Sequence, residues 1–175
     1  MREIVVTNRH LCKDFWVALE RALAQKPYAV VLREKDLSRD EYISLAFKVN
    51  ALCENHGVMF IPHTFEVPGV FRLHLPFHLA SKEYAENFHL SLSIHSVEEA
   101  QKAQALGANF VVAGHIFETK SKPELKPRGL DFLYAVCKSV DIPVFAIGGI
   151  SSENAQSCMD VGAAGVCKMS CFMEG

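Results

Sequence analysis

No block of lysine and arginine, no CxxC pair, no apolar run of membrane length and no low-complexity segment occurs in this sequence of 175 residues. Each absence removes a class of function. Eighteen basic against twenty acidic side chains leave a net charge of −2, so no stretch is built to track a phosphate backbone, and nucleic acid is not an expected partner. The longest apolar runs, such as IPVFAIGGI and NFVVAG, are strand-sized rather than the roughly 20 residues of a membrane span. No membrane partner is expected either. MREIVVTNRH has no signal-peptide pattern and reads directly as a strand, which argues against export. The six cysteines, Cys12, Cys53, Cys137, Cys158, Cys167 and Cys171, sit among apolar residues. Reduced thiols in a cytoplasm are their expected state.

What is present is a regular alternation. With half of its residues hydrophobic and 22% charged, the chain reads as one soluble globular domain over residues 1–175. Strand-like runs occur at EIVVTN, YAVVL, VMFIP, FRLHL, FHLSLSIH, NFVVAG, IPVFAIGG and AGVCKMS. Helical spacing occupies Phe15 to Gln25, the stretch from the capping pair Ser38 and Glu41 to Gly57, and the stretch from Ser96 to Gly107. Further helices are expected in GLDFLYAVCKSV and in SSENAQSCMDVGA, the latter opened by Ser151 or Ser152. Strands apolar at nearly every position and alternating with helices imply a parallel sheet covered on both faces. Eight such units predict a compact (β/α)8 TIM barrel of the α/β class. Its length is short for that fold, and the deficit falls in particular places. HTFEVPGV leaves no room for helix 3, helix 4 is confined to about Ser81–Asn87, and CFMEG leaves no helix 8.

In such a barrel the loops after the strands share one face and hold the active site. The residues expected there are Arg33, Glu34 and Lys35 after the second strand, His63 after the third and His74 at the fourth. Ser93 and His95 follow on the fifth, and His115 with Thr119, Lys120, Ser121 and Lys122 after the sixth. Gly148 and Gly149 follow the seventh strand and Met169 and Ser170 the eighth. A glycine pair ahead of a helix lets backbone amides approach a phosphate, although it also suits a plain tight turn. Arg33 and Lys35, two apart, would share one side of a strand and hold a carboxylate or phosphate, unless Glu34, Asp36 or Glu3 neutralises them. An imidazole titrates near neutral pH, so His115 is a candidate for moving a proton between carbons of an anionic substrate; the alternative is a structural histidine at a strand end. His74 and His78 are four apart, but Pro76 between them argues against a helical metal pair. His10, His56 and His89 read as surface or packing residues.

LREKD, SIHSVEEAQKAQALGANFVVAGHIFET, KPRGL, IPVFAIGGISSEN and AAGVCKMS together resemble the thiamine-phosphate-synthase/TenI superfamily of small barrels, over most of the chain and most strongly from about 88 to 170. Synthases of this superfamily join a pyrimidine diphosphate to a thiazole phosphate with magnesium held by aspartates after strands 3 and 4. Here Pro62 and His63 stand where the family has an Asn-Asp pair, and LHLPFHLA has no acidic residue. The loop GHIFET resembles instead the TenI-type thiazole tautomerases, where synthases carry GPxFxT. This resemblance implies a metal-free isomerase without cofactor, aromatising a carboxythiazole phosphate in thiamine biosynthesis. His115 would be its acid/base residue, with Arg33, Lys35, Ser93, Gly148, Gly149, Met169 and Ser170 binding the thiazole phosphate substrate. It also implies a cytoplasmic homodimer. A synthase and a non-catalytic phosphate-binding protein are the alternatives.

Overall fold

The computed structural model describes residues 1–119 and 123–173. Its strands are the short apolar runs of the sequence: β1 Arg2–Val6, β2 Ala29–Leu32, β3 Met59–Pro62, β4 Arg72–Pro76, β5 His89–Ile94, β6 Phe110–Gly114, β7 Val144–Ile147 and β8 Gly165–Lys168. All four residues of β2 and all five of β6 are buried, as a parallel sheet covered on both faces requires. The eight strands form one sheet in the order β3-β2-β1-β8-β7-β6-β5-β4. A parallel bridge between His63 and His74 ties β3 to β4, the two ends of that order. This is the cyclic strand order of a (β/α)8 barrel, as expected.

By contacts the chain comprises two units, one of Met1–Arg2 with Leu75–Cys167 and one of Glu3–His74 with the segment from Lys168 on. In the second of these, α1 (Phe15–Ala24) and α2 (Arg39–His56) supply the helices. Asp14 caps α1 by accepting from the amides of Trp16 and Val17. Ser38 and Glu41 form the expected capping box, and Gly57 closes α2 in the left-handed region at φ 67°. Leu19, Leu23, Leu32, Tyr42 and Phe60 form its core. Between β3 and β4 no helix forms, as expected. Val67 and Val70 from that connection enter the same core and Phe65 packs on it, so three apolar side chains cover what a helix face would otherwise bury.

The other unit carries α3 (Lys82–Asn87), α4 (Val97–Leu106), α5 (Gly129–Ser139) and α6 (Ala155–Asp160). Leu90, Leu92, Val111 and Leu133 are fully buried there, and the rings of Phe110 and Phe145 meet edge to face at 5.2 Å. Helix α3 is short, as the spacing predicts, and Ser81 caps it. Two boundaries differ from the sequence reading. Helix α6 starts at Ala155 rather than at Ser151 or Ser152, because Asn154 folds back, accepting from the Ser151 amide and donating to the Gly149 carbonyl. After β8 the chain makes a one-turn helix, α7 (Ser170–Met173), where none was expected; Phe172 and Met173 are buried. No helix among the described residues is long and apolar enough to cross a membrane.

Candidate active site

In the unit of Glu3–His74, Arg33 follows β2, His63 follows β3 and His74 lies within β4. Leu32 pairs with Pro62 in the ladder, so the next residues along, Arg33 and His63, leave the sheet side by side. The bridge to His74 brings the two imidazoles to 5.5 Å between ring centres, tilted by 32°. Both histidines are buried, at 7% and 4% exposure. Burial, followed by the proximity of His74, Arg33 and Lys35, holds the His63 imidazole down at about 3. Burial and then Arg33 hold His74 at about 4. Both rings are therefore neutral at ordinary pH, in a surrounding that disfavours further positive charge.

The support beneath this cluster is built from buried polar groups. Thr7 Oγ1 donates to Glu34 at 2.7 Å and accepts from the Arg33 amide at 3.0 Å. Glu34 also accepts from the Arg9 amide and lies 3.6 Å from its guanidinium. The buried Tyr42 hydroxyl accepts from the His63 amide and donates to the Leu32 carbonyl, each at 2.7 Å. It thereby bridges the ends of β2 and β3 from helix α2. His63 Nδ1 meets Thr64 Oγ1 at 2.7 Å.

Arg33 and Lys35 do not share a strand face as their spacing predicts. The strand stops at Leu32, leaving Arg33 half-buried in the loop, where burial lowers its pKa, and Lys35 exposed in the following turn. The three carboxylates offered as their partners are engaged by other cations: Glu34 by Arg9, Asp36 by Arg9 and His10, and Glu3 by Lys168 at 2.6 Å. In the same unit Met169 accepts a long contact from Asn8 Nδ2 at 3.9 Å, and exposed Ser170 opens α7.

The remaining candidates lie in the other unit. Ser93 is half-buried in β5, opposite Val112 of β6. His115 follows β6 and is 5% exposed. Its Nε2 is 3.1 Å from the Leu125 carbonyl; a carbonyl only accepts, so this nitrogen carries the proton. The His115 carbonyl in turn accepts from the Arg128 amide at 3.0 Å. Both bonds fasten the loop before α5. Gly148 and Gly149 have φ values of 100° and 64°, a region that favours glycine. A Cβ on Gly148 would lie 2.3 Å from the His115 Cβ, and one on Gly149 would lie 2.2 Å from the Glu118 carbonyl oxygen. The pair is thus required for the chain at 115–118 to cross directly over β7. Of the TKSK loop, Lys120, Ser121 and Lys122 lie outside the described residues.

Comparison with known proteins decides the family. The model of the thiamine monophosphate synthase family matches residues 3–63 and 72–172. The chain belongs to that family. A thiamine-phosphate synthase of Fusobacterium nucleatum is 34% identical over 177 residues, covering 95% of this chain and 86% of that protein. One from Coprothermobacter proteolyticus is 34% identical over 162 residues, covering 87% and 77%. The solved thiamine phosphate pyrophosphorylase of Pyrococcus furiosus superposes with a TM-score of 0.85 at 27% identity, over 99% of this chain and 88% of that one. The family places the chain among barrel enzymes of thiamine biosynthesis.

These relatives overturn the tautomerase expectation: proteins similar along nearly the whole chain are named synthases, and the GHIFET loop is a six-residue local match. The isomerase reaction assigned to His115 falls with it.

The magnesium of the synthase branch does not fit the residues found here. Magnesium takes oxygen ligands, typically one or two carboxylates with substrate phosphates. Directly after β3 stands His63, a neutral imidazole, and the residues that follow β4, Phe77 to Leu79, include no carboxylate; among the described residues no group of three or more His, Cys, Asp or Glu side chains could hold a metal ion. His63 after the third strand and His74 on the fourth were visible in the sequence, but their pairing rests on the β3–β4 bridge, which no sequence spacing encodes.

Proposed function

We propose that this enzyme is a transferase that joins a pyrimidine diphosphate to a thiazole phosphate, releasing diphosphate and forming thiamine phosphate. The observation that carries this reading is the similarity of nearly the whole chain to proteins named thiamine-phosphate synthase, with Arg33 and Lys35 following β2. Joining the two rings leaves negative charge on the departing diphosphate. Arg33 and Lys35 supply fixed positive charge for it, most effective where water is scarce, as beside half-buried Arg33. Ser93, Gly148 and Gly149 are candidate substrate contacts, the glycine amides being suited to phosphate oxygens. Met169 and Ser170 are candidates in their own right, the Ser170 hydroxyl being suited to a phosphate oxygen. His115 acts as a positioning residue, holding the Leu125 loop through Nε2. All six cysteines are free thiols, which supports a reducing, cytoplasmic setting. The family resemblance further supports a homodimer, to be tested by sedimentation equilibrium.

The test is turnover of the two substrates, followed by thiamine phosphate formation and diphosphate release. Wild type is expected to convert them, and Arg33→Ala to lose at least about a hundredfold in kcat/KM. Absence of product from the wild type, with or without magnesium, while both substrates bind, would overturn the reading.

A further inference from the structure

The chain leaves β2 at Leu32 and enters α2 at Arg39, and the link between them carries Arg33. At its far end the link is held by Leu37, which packs on the core, and by the Ser38 capping box. At its near end the Arg33 amide donates to Thr7. The middle is held by one residue of a different loop. Arg9 opens a short 3-10 turn, Arg9–Leu11, after β1. Its amide donates to both oxygens of the Glu34 carboxylate, at 3.1 and 3.2 Å. Its guanidinium grips Asp36 as a fork, Nη1 donating to Oδ1 at 3.0 Å and Nη2 to Oδ2, and His10 Nε2 meets the same carboxylate at 3.0 Å. Arg9 thus binds the residues on either side of Lys35. The turn that bears it has a firm base, since Leu11 and Cys12 pack on the core and the Cys12 thiol donates to the Arg9 carbonyl at 3.4 Å.

We propose that Arg9 is a positioning residue: through Glu34 and Asp36 it fixes the backbone from which Arg33 projects, and so sets the affinity for the diphosphate-bearing substrate. This rests on the transferase reading, in which Arg33 meets the departing diphosphate. Folding gains little from the outer pair. The Arg9 and Asp36 side chains are 28% and 45% exposed, and ion pairs in contact with water contribute little to stability. What the fork supplies is geometry, because two parallel N–H bonds to one carboxylate hold in one orientation only. Lysine carries a point charge and no fork, so Arg9→Lys separates shape from charge.

Initial rates of the full chain, with the pyrimidine diphosphate and the thiazole phosphate varied in turn, test this, and circular dichroism melts report whether each variant stays folded. Arg9→Ala, Arg9→Lys and Asp36→Asn are each expected to raise KM for the pyrimidine diphosphate about tenfold and to leave KM for the thiazole phosphate unchanged. The double variant Arg9→Ala/Asp36→Asn is expected to be no worse than either single one, as for two ends of one contact. A purely structural loss lowers the folded fraction, and with it kcat, but moves neither KM. An unchanged KM for the diphosphate in folded Arg9→Ala, equal rises for both substrates, full activity in Arg9→Lys, or additive losses would each overturn the positioning role and leave the transferase reading intact. If wild type turns nothing over, the transferase reading fails and calorimetry with inorganic diphosphate decides about Arg9. Binding about tenfold weaker in Arg9→Ala than in wild type supports the role, and equal or absent binding overturns it.

Discussion

Thr7 shows how much a single hydroxyl can organise. It donates to a buried carboxylate and accepts the amide of Arg33, so removing it leaves two buried partners short of a hydrogen bond. Thr7→Val keeps the shape and is expected to cost about 1–3 kcal/mol, read from a urea midpoint. Gly148 works by what it lacks. At φ 100°, with a Cβ landing 2.3 Å from that of His115, Gly148→Ala is expected to cost about 2–4 kcal/mol from backbone strain and overpacking together. A thermal melt checks it; a variant as stable as wild type would mean that the crossing at 115–118 yields easily. At this scale the sequence was partly legible. Positions 33, 35, 63, 115, 148 and 149 fall after strands in a simple reading of periodicity, and 74 falls on one. Their relations were not: the glycine pair reads as a phosphate turn, yet its Cβ faces are filled by the chain at 115–118, a packing demand that sequence does not display.

Among the elements, helix starts marked by a serine with glutamate three residues on were legible, and the structure shows why one such pair is less than a full box. Ser96 Oγ accepts from the Glu99 amide, but the Glu99 carboxylate turns to the His95 amide at 2.6 Å instead of returning to Ser96. The serine therefore caps the helix alone. Ser96→Ala is expected to cost about 1 kcal/mol and Ser96→Gly only a few tenths, measured by chemical denaturation. Helix α6 was misplaced because SSEN carries cap-forming residues at three of four positions, and side-chain competition gives the turn to Asn154. The strands were found because each is apolar at almost every residue. Their ends were less clear, and the stop of β2 at Leu32 separates Arg33 from Lys35, which period-two spacing would have paired.

Across the whole molecule, a six-residue motif and chain-wide similarity pointed to different reactions, and the longer comparison prevails because it samples the sheet, the connections and the site together. The histidine pair also gives the chain a definite response to acid. Folded values of about 3 and about 4 lie below the ordinary histidine value of about 6.5, so the unfolded chain binds more protons between them. The stability tied to neutral His63 and His74 is complete above about pH 6.5 and is lost as pH falls towards 4 and then 3, by up to about 1.4 kcal/mol per pH unit for each ring. Melting temperatures from pH 7.5 to 5 are expected to fall more steeply in wild type than in His63→Gln; parallel slopes would count against burial of that ring. The Tyr42 hydroxyl, finally, spans the Leu32 carbonyl and the His63 amide. A lineage that exchanged this tyrosine for phenylalanine would strand two backbone groups at once, so inheritance at position 42 should travel with positions 33 and 63, and related chains carrying phenylalanine there should have abandoned Arg33 and His63 as well.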